Sequence, residues 1–477
     1  MRTDLQGECR QAMHNMPKFV NPKQAVQLFL NLTEDHGVEE VAVVRNPSYV
    51  YPPFDLYALA PRRRTVREGL LGVVKDMDGT TTTTEPLCIH SLEYMVRRIT
   101  GRTEKEDWSG LNPQRDYPHI IGNSTTKHVE YLIRRYEDWI DPEAFKRAYL
   151  SSVIWTLSVG QDEGRKREVR NNLSVLALGG ILKDENFKDL ISRRTFDETP
   201  VSEAVDYFLR NYDVRLGNFT DRVRAGIDIY YTRYHEILAA IAKGQGERLS
   251  KELLSGGRRL VEPMPGVGMF LALIKGWLGE DIELFFEEMR EHLIPQAGYT
   301  PEQLDALRGR LAPLGRFFQK NPARVAVVTS SIEYEANIVL NEVFEVIRKQ
   351  ISDWPLPKEK RERLLWCFQD PRSLYDGIVT ATDSSEIRLK PHRDLYSIAL
   401  HQLGITPDQF ENVVGFEDSE SGTIAIRAAG IGLCVAVPFT GTKGHDLSAA
   451  SYVLHGGLPE AVLVYSCFLP KEKLRKY

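Results

Sequence analysis

Cysteine and long apolar runs are both scarce in this 477-residue chain. The five cysteines, Cys9, Cys88, Cys367, Cys434 and Cys467, stand singly with no close pair. That excludes a disulfide framework and the paired spacing of a zinc site, and the thiols read as buried or idle. No stretch approaches the ~18 consecutive apolar residues of a membrane span. The amino terminus carries Asp4, Glu8 and Arg10 where a signal peptide needs an apolar segment, so a soluble, cytoplasmic protein is expected. An excess of either charge is missing too. With 61 basic and 66 acidic residues the formal charge is −5, which gives no bulk electrostatic reason to expect nucleic acid or an anionic membrane as partner.

What is present is an ordinary globular composition, 42% hydrophobic and 27% charged, at a length that implies about two to four domains. Residues 1–65 read as an extension of unassigned role: a helical stretch around Lys23–Leu32, a strand Val41–Val44, then loop-like Pro52-Pro53 and a solvated junction at Arg62-Arg63-Arg64. Residues 86–262 carry apolar side chains at helical spacing in His128–Tyr136, Pro142–Leu157, Val201–Tyr212 and Arg222–Ala242, with Arg165-Lys166-Arg167 reading as an outer helix face. Past Arg324 the period changes. Short apolar strands at Val325–Val328, Gly377–Val379, Asn412–Gly415 and Leu433–Val437 alternate with helical Glu335–Lys349, Asp394–Leu403 and Gly422–Ala429. Alternation of this kind predicts a doubly wound parallel sheet, and the apolar run Leu70–Val74 belongs with it. The economical reading is an α/β domain, residues 66–85 plus 311–477, interrupted by a large helical insertion and a return segment over 263–310.

Chemistry-bearing residues gather at the carboxyl ends of these strands, where open α/β sheets place their sites. Asp76 and Asp78 follow the first strand, Thr329-Ser330-Ser331 the second, Lys390-Pro391 opens a crossover helix, and Glu417-Asp418 follow the strand near Gly415. Taken singly, such residues are turn acids, helix caps and helix starts. Together they supply phosphoryl transfer through a covalent intermediate. One carboxylate attacks phosphorus, a second two residues on protonates the leaving oxygen and then activates water, further acids hold magnesium, and a hydroxyl and a lysine grip the phosphoryl oxygens.

In these motifs the chain resembles the haloacid dehalogenase superfamily, in the branch of phosphoglycolate phosphatases and β-phosphoglucomutases. Asp76-Met77-Asp78-Gly79-Thr80 is similar to its first motif, Thr329 to its second, Lys390 to its third and Glu417-Asp418-Ser419 to its fourth, with Thr84-Glu85-Pro86-Leu87 resembling the start of its helical cap. The resemblance implies a Rossmann-like core with the cap inserted between the first two motifs. It implies Asp76 as nucleophile, Asp78 as general acid and base, and Thr329 with Lys390 as phosphoryl clamp. Mg2+ would be held by the Asp76 carboxylate, the Asp78 main-chain carbonyl and Asp418, with Glu417 in or beside the shell. Gly79, Thr80 and Ser330 are the implied substrate contacts in the core. In the cap, Ile121-Gly122-Asn123-Ser124-Thr125 resembles the specificity loop, making Asn123 and Ser124 candidate contacts against the alternative of a polar helix cap.

Three positions depart from the branch: Lys75 stands where an apolar residue is usual, Leu389 where glycine often precedes the lysine, and Arg393 in place of a second proline. The cap is also enlarged, with a further inserted stretch near Trp277–Arg310. Of the five threonines Thr80–Thr84, those beyond Thr80 read as a plain polar connection. The expected activity is a magnesium-dependent phosphatase acting on a small phosphorylated metabolite, a sugar phosphate or related monoester. A phosphomutase, and a binding or regulatory protein that keeps the fold without turnover, are the alternatives.

Overall fold

The computed structural model describes residues 20–35, 37–46, 50–104, 106–121, 124–254, 258–442, 444–465 and 467–477. The chain divides after Pro61 into two units. The first holds the helix Pro22–Asp35 and an antiparallel hairpin of β1 (Glu40–Arg45) and β2 (Phe54–Leu59), with Val43 opposite Leu56. β2 begins directly after Pro52-Pro53, where only a loop was expected.

The second unit is built on a parallel sheet of six strands. In chain order its strands and the short ribbon beside it are β3 (Gly72–Asp76), β4 (Thr82–Thr83), β5 (Glu262–Pro263), β6 (Arg324–Val328), β7 (Gly377–Val379), β8 (Val413–Glu417), β9 (Leu433–Ala436) and β10 (Tyr452–Val453). The sheet order is β10-β9-β8-β3-β6-β7, so β3 is central. Valine-rich strands covered on both faces are what a parallel sheet demands. Side chains alternate as the pleat requires: Val73, Val325, Val327, Val414, Phe416, Leu433 and Val435 enter one apolar cluster, while Val74, Ala326, Val328, Val413, Cys434 and Ala436 enter the other. The architecture is the expected Rossmann-like doubly wound sheet with an inserted helical region.

Boundaries moved where hydrogen bonds outran the apolar run. The first core strand lies two residues later than Leu70–Val74, because the Leu70 and Leu71 amides bond to loop carbonyls of Phe468 and Asn412. Asp76 is therefore the last strand residue instead of the first loop residue. Glu417 likewise ends β8, its carbonyl accepting the Val437 amide at 2.7 Å. β10, two residues long, is too short to leave a periodic signal.

Between β4 and β5 lie helices from Glu85–Thr100 to Gly246–Leu253, arranged around Phe219–Ala240. No helix among the described residues is long and apolar enough to cross a membrane. Entry to and exit from this helical region run through one antiparallel ribbon, with Thr82 opposite Pro263 and Thr83 opposite Glu262. On its far side His235 Nε2 lies 2.8 Å from Glu335 Oε1 of the core helix Glu333–Asp353, both side chains buried. The arginines read as solvated are structural. Arg165 is buried, paired with Asp228 and 4.6 Å above the Tyr231 ring, its partner also accepting from Asn172 Nδ2 at 3.0 Å. Arg62 and Arg64 donate to the carbonyls of Ala450 and Ser451, and Arg63 pairs with Glu411.

Lys75 is wholly buried on the first-cluster face of β3. Its Nζ, 5.9 Å from the Phe270 ring centroid, has no hydrogen-bond partner among the described residues. Burial pushes this amine down from 10.5 to about 7, against the attraction of Asp76. Between those values the unfolded chain holds a proton that the folded chain has released, so stability falls as pH drops from about 10.5 towards 7 and levels off below. At ~1.4 kcal/mol per pKa unit, Lys75→Met should raise the unfolding free energy by about 4 kcal/mol near neutral pH and by little at pH 10. Urea denaturation at the two pH values measures this, and equal stability of variant and parent at neutral pH would refute the buried, unpaired amine.

Candidate active site

The end of β3 turns sharply because the Thr81 and Thr82 amides both bond to the Met77 carbonyl at 2.9 Å while the Gly79 amide reaches Thr82 O at 2.7 Å. Gly79 has φ +85°, and a Cβ there would stand 2.5 Å from Asp418 Oδ2. Only glycine allows both the turn and the close approach of that acid. The turn holds Asp76 buried at the strand end and lifts Asp78 into a half-buried position.

Neighbouring strands bring the other acids alongside. Asp76, Glu417 and Asp418 offer carboxylate oxygens within 4.8 Å of one another, all three buried. Lys390 is the cation among them, donating to Asp76 Oδ1 and, at 2.7 Å, to Glu417 Oε1. Glu417 Oε1 also accepts from Tyr396 at 3.1 Å, while Oε2 accepts from the Asp418 and Ser419 amides and from Ser419 Oγ, each at 2.9 Å. Both oxygens of Glu417 are thus already committed. Gly422 permits this, since a Cβ at that position would overlap the Glu417 carboxylate. Among the described residues Asp418 Oδ1 accepts only Thr80 Oγ1, at 3.3 Å, which leaves Asp76 and Asp418 with open lone pairs there, their carboxylates within 4.8 Å of each other.

One lysine cannot balance three buried carboxylates. Burial raises the Asp76 and Asp418 pKa values well above the usual carboxylate range, reinforced by the neighbouring acids. Burial acts on Glu417 in the same direction, but Lys390 and the Ser419 donors outweigh it and its pKa is lowered. Lys390 is raised, its burial more than offset by Asp76 and Glu417. An all-oxygen donor set with surplus negative charge fits a hard divalent cation such as Mg2+.

Asp78 is held apart from this group. Its Oδ1 accepts Thr84 Oγ1 at 2.6 Å, and its Oδ2 accepts Thr329 Oγ1 at 3.0 Å and Ser331 Oγ at 3.4 Å. The structure therefore brings Asp76, Asp78, Gly79, Thr80, Thr329, Lys390, Glu417 and Asp418 together. Ser330 is exposed, and Ser331 takes the place at Asp78. Ser124 is exposed and begins the helix Thr125–Arg135 without a side-chain capping bond. Gly122 and Asn123 lie outside the described residues. The segment before them, Tyr117–Ile121, packs near the core loop Thr440–Thr442 that follows β9, and a Cβ at Gly441 would lie 3.1 Å from Ile121.

Sequence reasoning passed over Thr81, Thr82, Thr84, Ser331 and Tyr396. The threonine run is no plain connection: Thr81 Oγ1 donates to the Asp76 carbonyl at 2.5 Å, Thr82 Oγ1 to the Glu262 carbonyl at 2.8 Å and Thr84 to Asp78. The signal available was that Thr84 directly precedes a helix and lies six positions after Asp78. Glu85, half-buried and held by Thr83 Oγ1 at 2.6 Å, has its pKa raised to about 7, chiefly by burial and further by Asp78.

No protein-family model and no curated protein matches the chain. Solved structures similar to it include CbbY from Rhodobacter sphaeroides in complex with phosphate, at 15% identity over 82% of this chain and 96% of that one, with a TM-score of 0.33. A putative β-phosphoglucomutase from Thermotoga maritima is similar at 16% identity over 83% and 97%, with a TM-score of 0.32. A HAD phosphatase from Thermococcus onnurineus is similar at 14% over 84% and 100%, with a TM-score of 0.30.

Because the folded pKa of Asp418 lies above its unfolded value, the folded chain binds more protons once pH exceeds about 4, and the metal-free protein loses stability as pH rises through that range. Asp418→Asn should accordingly stabilise the metal-free protein at pH 7 by about 1 kcal/mol or more, with a smaller gain at pH 4. Chemical denaturation in excess chelator tests this, and destabilisation at pH 7 would contradict the surplus charge.

Proposed function

We propose that the chain is a magnesium-dependent phosphatase that hydrolyses a small phosphorylated metabolite, a sugar phosphate or related organic monoester, through a phosphoaspartate. The observation that carries this reading is the separation of the two acids within one turn. Asp76 sits bonded to Lys390 beside open carboxylate oxygens, while Asp78 sits apart among three hydroxyls. A nucleophile and a proton donor need such unlike surroundings.

In this mechanism an Asp76 oxygen attacks phosphorus and Asp78 donates its proton to the departing ester oxygen. Asp78 then takes a proton from water as that water attacks the phosphoaspartate, returning Asp76 to a free carboxylate. Lys390 and Thr329, which bond Asp76 and Asp78, would grip the phosphoryl oxygens. Asp76, Asp418 and the Asp78 main-chain carbonyl would hold Mg2+, with Glu417 beside the shell as the anchor of Lys390. Bound there, the ion supplies positive charge that lets an anionic nucleophile approach an anionic phosphate.

Hydrolysis of an aryl phosphate should require magnesium, and full activity in excess chelator would reject the metal assignment. Asp76→Asn should abolish turnover and the phosphoenzyme together. Asp78→Asn should lose ~10²–10⁴-fold on an alkyl phosphate and less on an aryl phosphate, whose leaving oxygen needs little protonation. Steady-state rates and intact mass after a rapid quench measure both. A phosphoenzyme in Asp76→Asn would overturn the mechanism.

A further inference from the structure

The inserted helices carry a concavity of about 830 Å³ whose lining includes Ser158, Glu163, Lys166, Lys188, Arg194 and Lys243, none of them part of the acid cluster. Four cations face one carboxylate. Lys166 is paired with that carboxylate at 2.8 Å, and Lys188 with Glu185 at 2.7 Å. Arg194 and Lys243 form no ion pair among the described residues.

The backbone that presents these two unpaired cations is irregular at both places. Arg194 has φ +54°, a left-handed conformation that a side chain of this kind rarely adopts. Lys243 sits in a widened turn, Ile241–Gln245, where Gly244 reaches φ +77° and the helix breaks. Arg194 follows the end of the helix Glu185–Ser192, where a left-handed residue is common, so both cations stand at helix ends.

We infer that this concavity binds a small polyanion carrying two or more phosphoryl groups, at a site separate from the catalytic acids. Clustered cations repel one another until an anion arrives. Phosphate oxygens accept from lysine and arginine donors alike. The volume lies within the ~300–1,000 Å³ range of small-molecule sites and exceeds what a lone phosphate fills. A nucleoside triphosphate and a bare polyphosphate share the recognised chemistry.

Calorimetric titration of the full chain in chelator, at low ionic strength, with inorganic tripolyphosphate and with ATP tests the inference. Saturable binding to the wild type should weaken about tenfold or more in the Arg194→Ser/Lys243→Ser double variant, and tighten severalfold in Glu163→Gln, which removes the one opposing carboxylate. Asp76→Asn should bind as the wild type does, which separates this site from the catalytic reading. Tighter binding of ATP than of tripolyphosphate supports a nucleotide ligand, and equal binding supports recognition of the phosphate chain alone. Absence of saturable binding, or unchanged affinity in the double variant, overturns the proposal. Aryl phosphate hydrolysis by the double variant without added polyanion should match the wild type, which checks that the variant is folded.

Discussion

The Lys390 ammonium, shared between Asp76 and Glu417, is the contact on which the rest of the site depends. Three carboxylates on two adjacent strands cannot be buried together without a cation in their midst. Glu417 is fixed from both sides: the Asp418 and Ser419 amides just before the helix Glu420–Ala428 donate to one oxygen, and Lys390 and Tyr396 donate to the other. With Glu417 immobile, the lysine has one direction left in which to point, toward Asp76. The sheet order β8-β3-β6 thereby becomes a chemical arrangement, because each strand end delivers a different functional group to a common space.

The core strands and the four motif groups were legible because they announce themselves locally. Val73-Val74 and Val325–Val328 are apolar runs with no alternative reading, and the acids at their ends break the pattern abruptly. Strand ends were misplaced by about two residues because they depend on partners distant in sequence, such as Val437 bonding to Glu417. Arg165 was illegible for the same reason: a cationic triplet reads as surface until Asp228, on another helix, accounts for its burial. Thr84 and Ser331 were missed because a hydroxyl that orients an acid has no sequence signature apart from the helix start it resembles.

Lys75 shows what such a site tolerates nearby. An amine on the central strand, unpaired among the described residues and lying beside Phe270 and Phe416, opposes folding, and the large apolar clusters on both sheet faces carry that opposition. The deficit of positive charge around Asp76 and the unpaired amine beside it in sequence lie on opposite faces of β3, so the side chain cannot relieve the acids it adjoins.

The ribbon of β4 and β5 is narrow, two residues on each side, and the Met264 amide adds one more bond to the Thr81 carbonyl. A region of eight α-helices is therefore joined to the core along the chain only through this ribbon, like a door on a single leaf, with His235 and Glu335 as its latch. Thr84, the first residue beyond that leaf, is bonded to Asp78. The seating of the helical region on its leaf and the orientation of the Asp78 carboxyl group are thus tied through one hydroxyl.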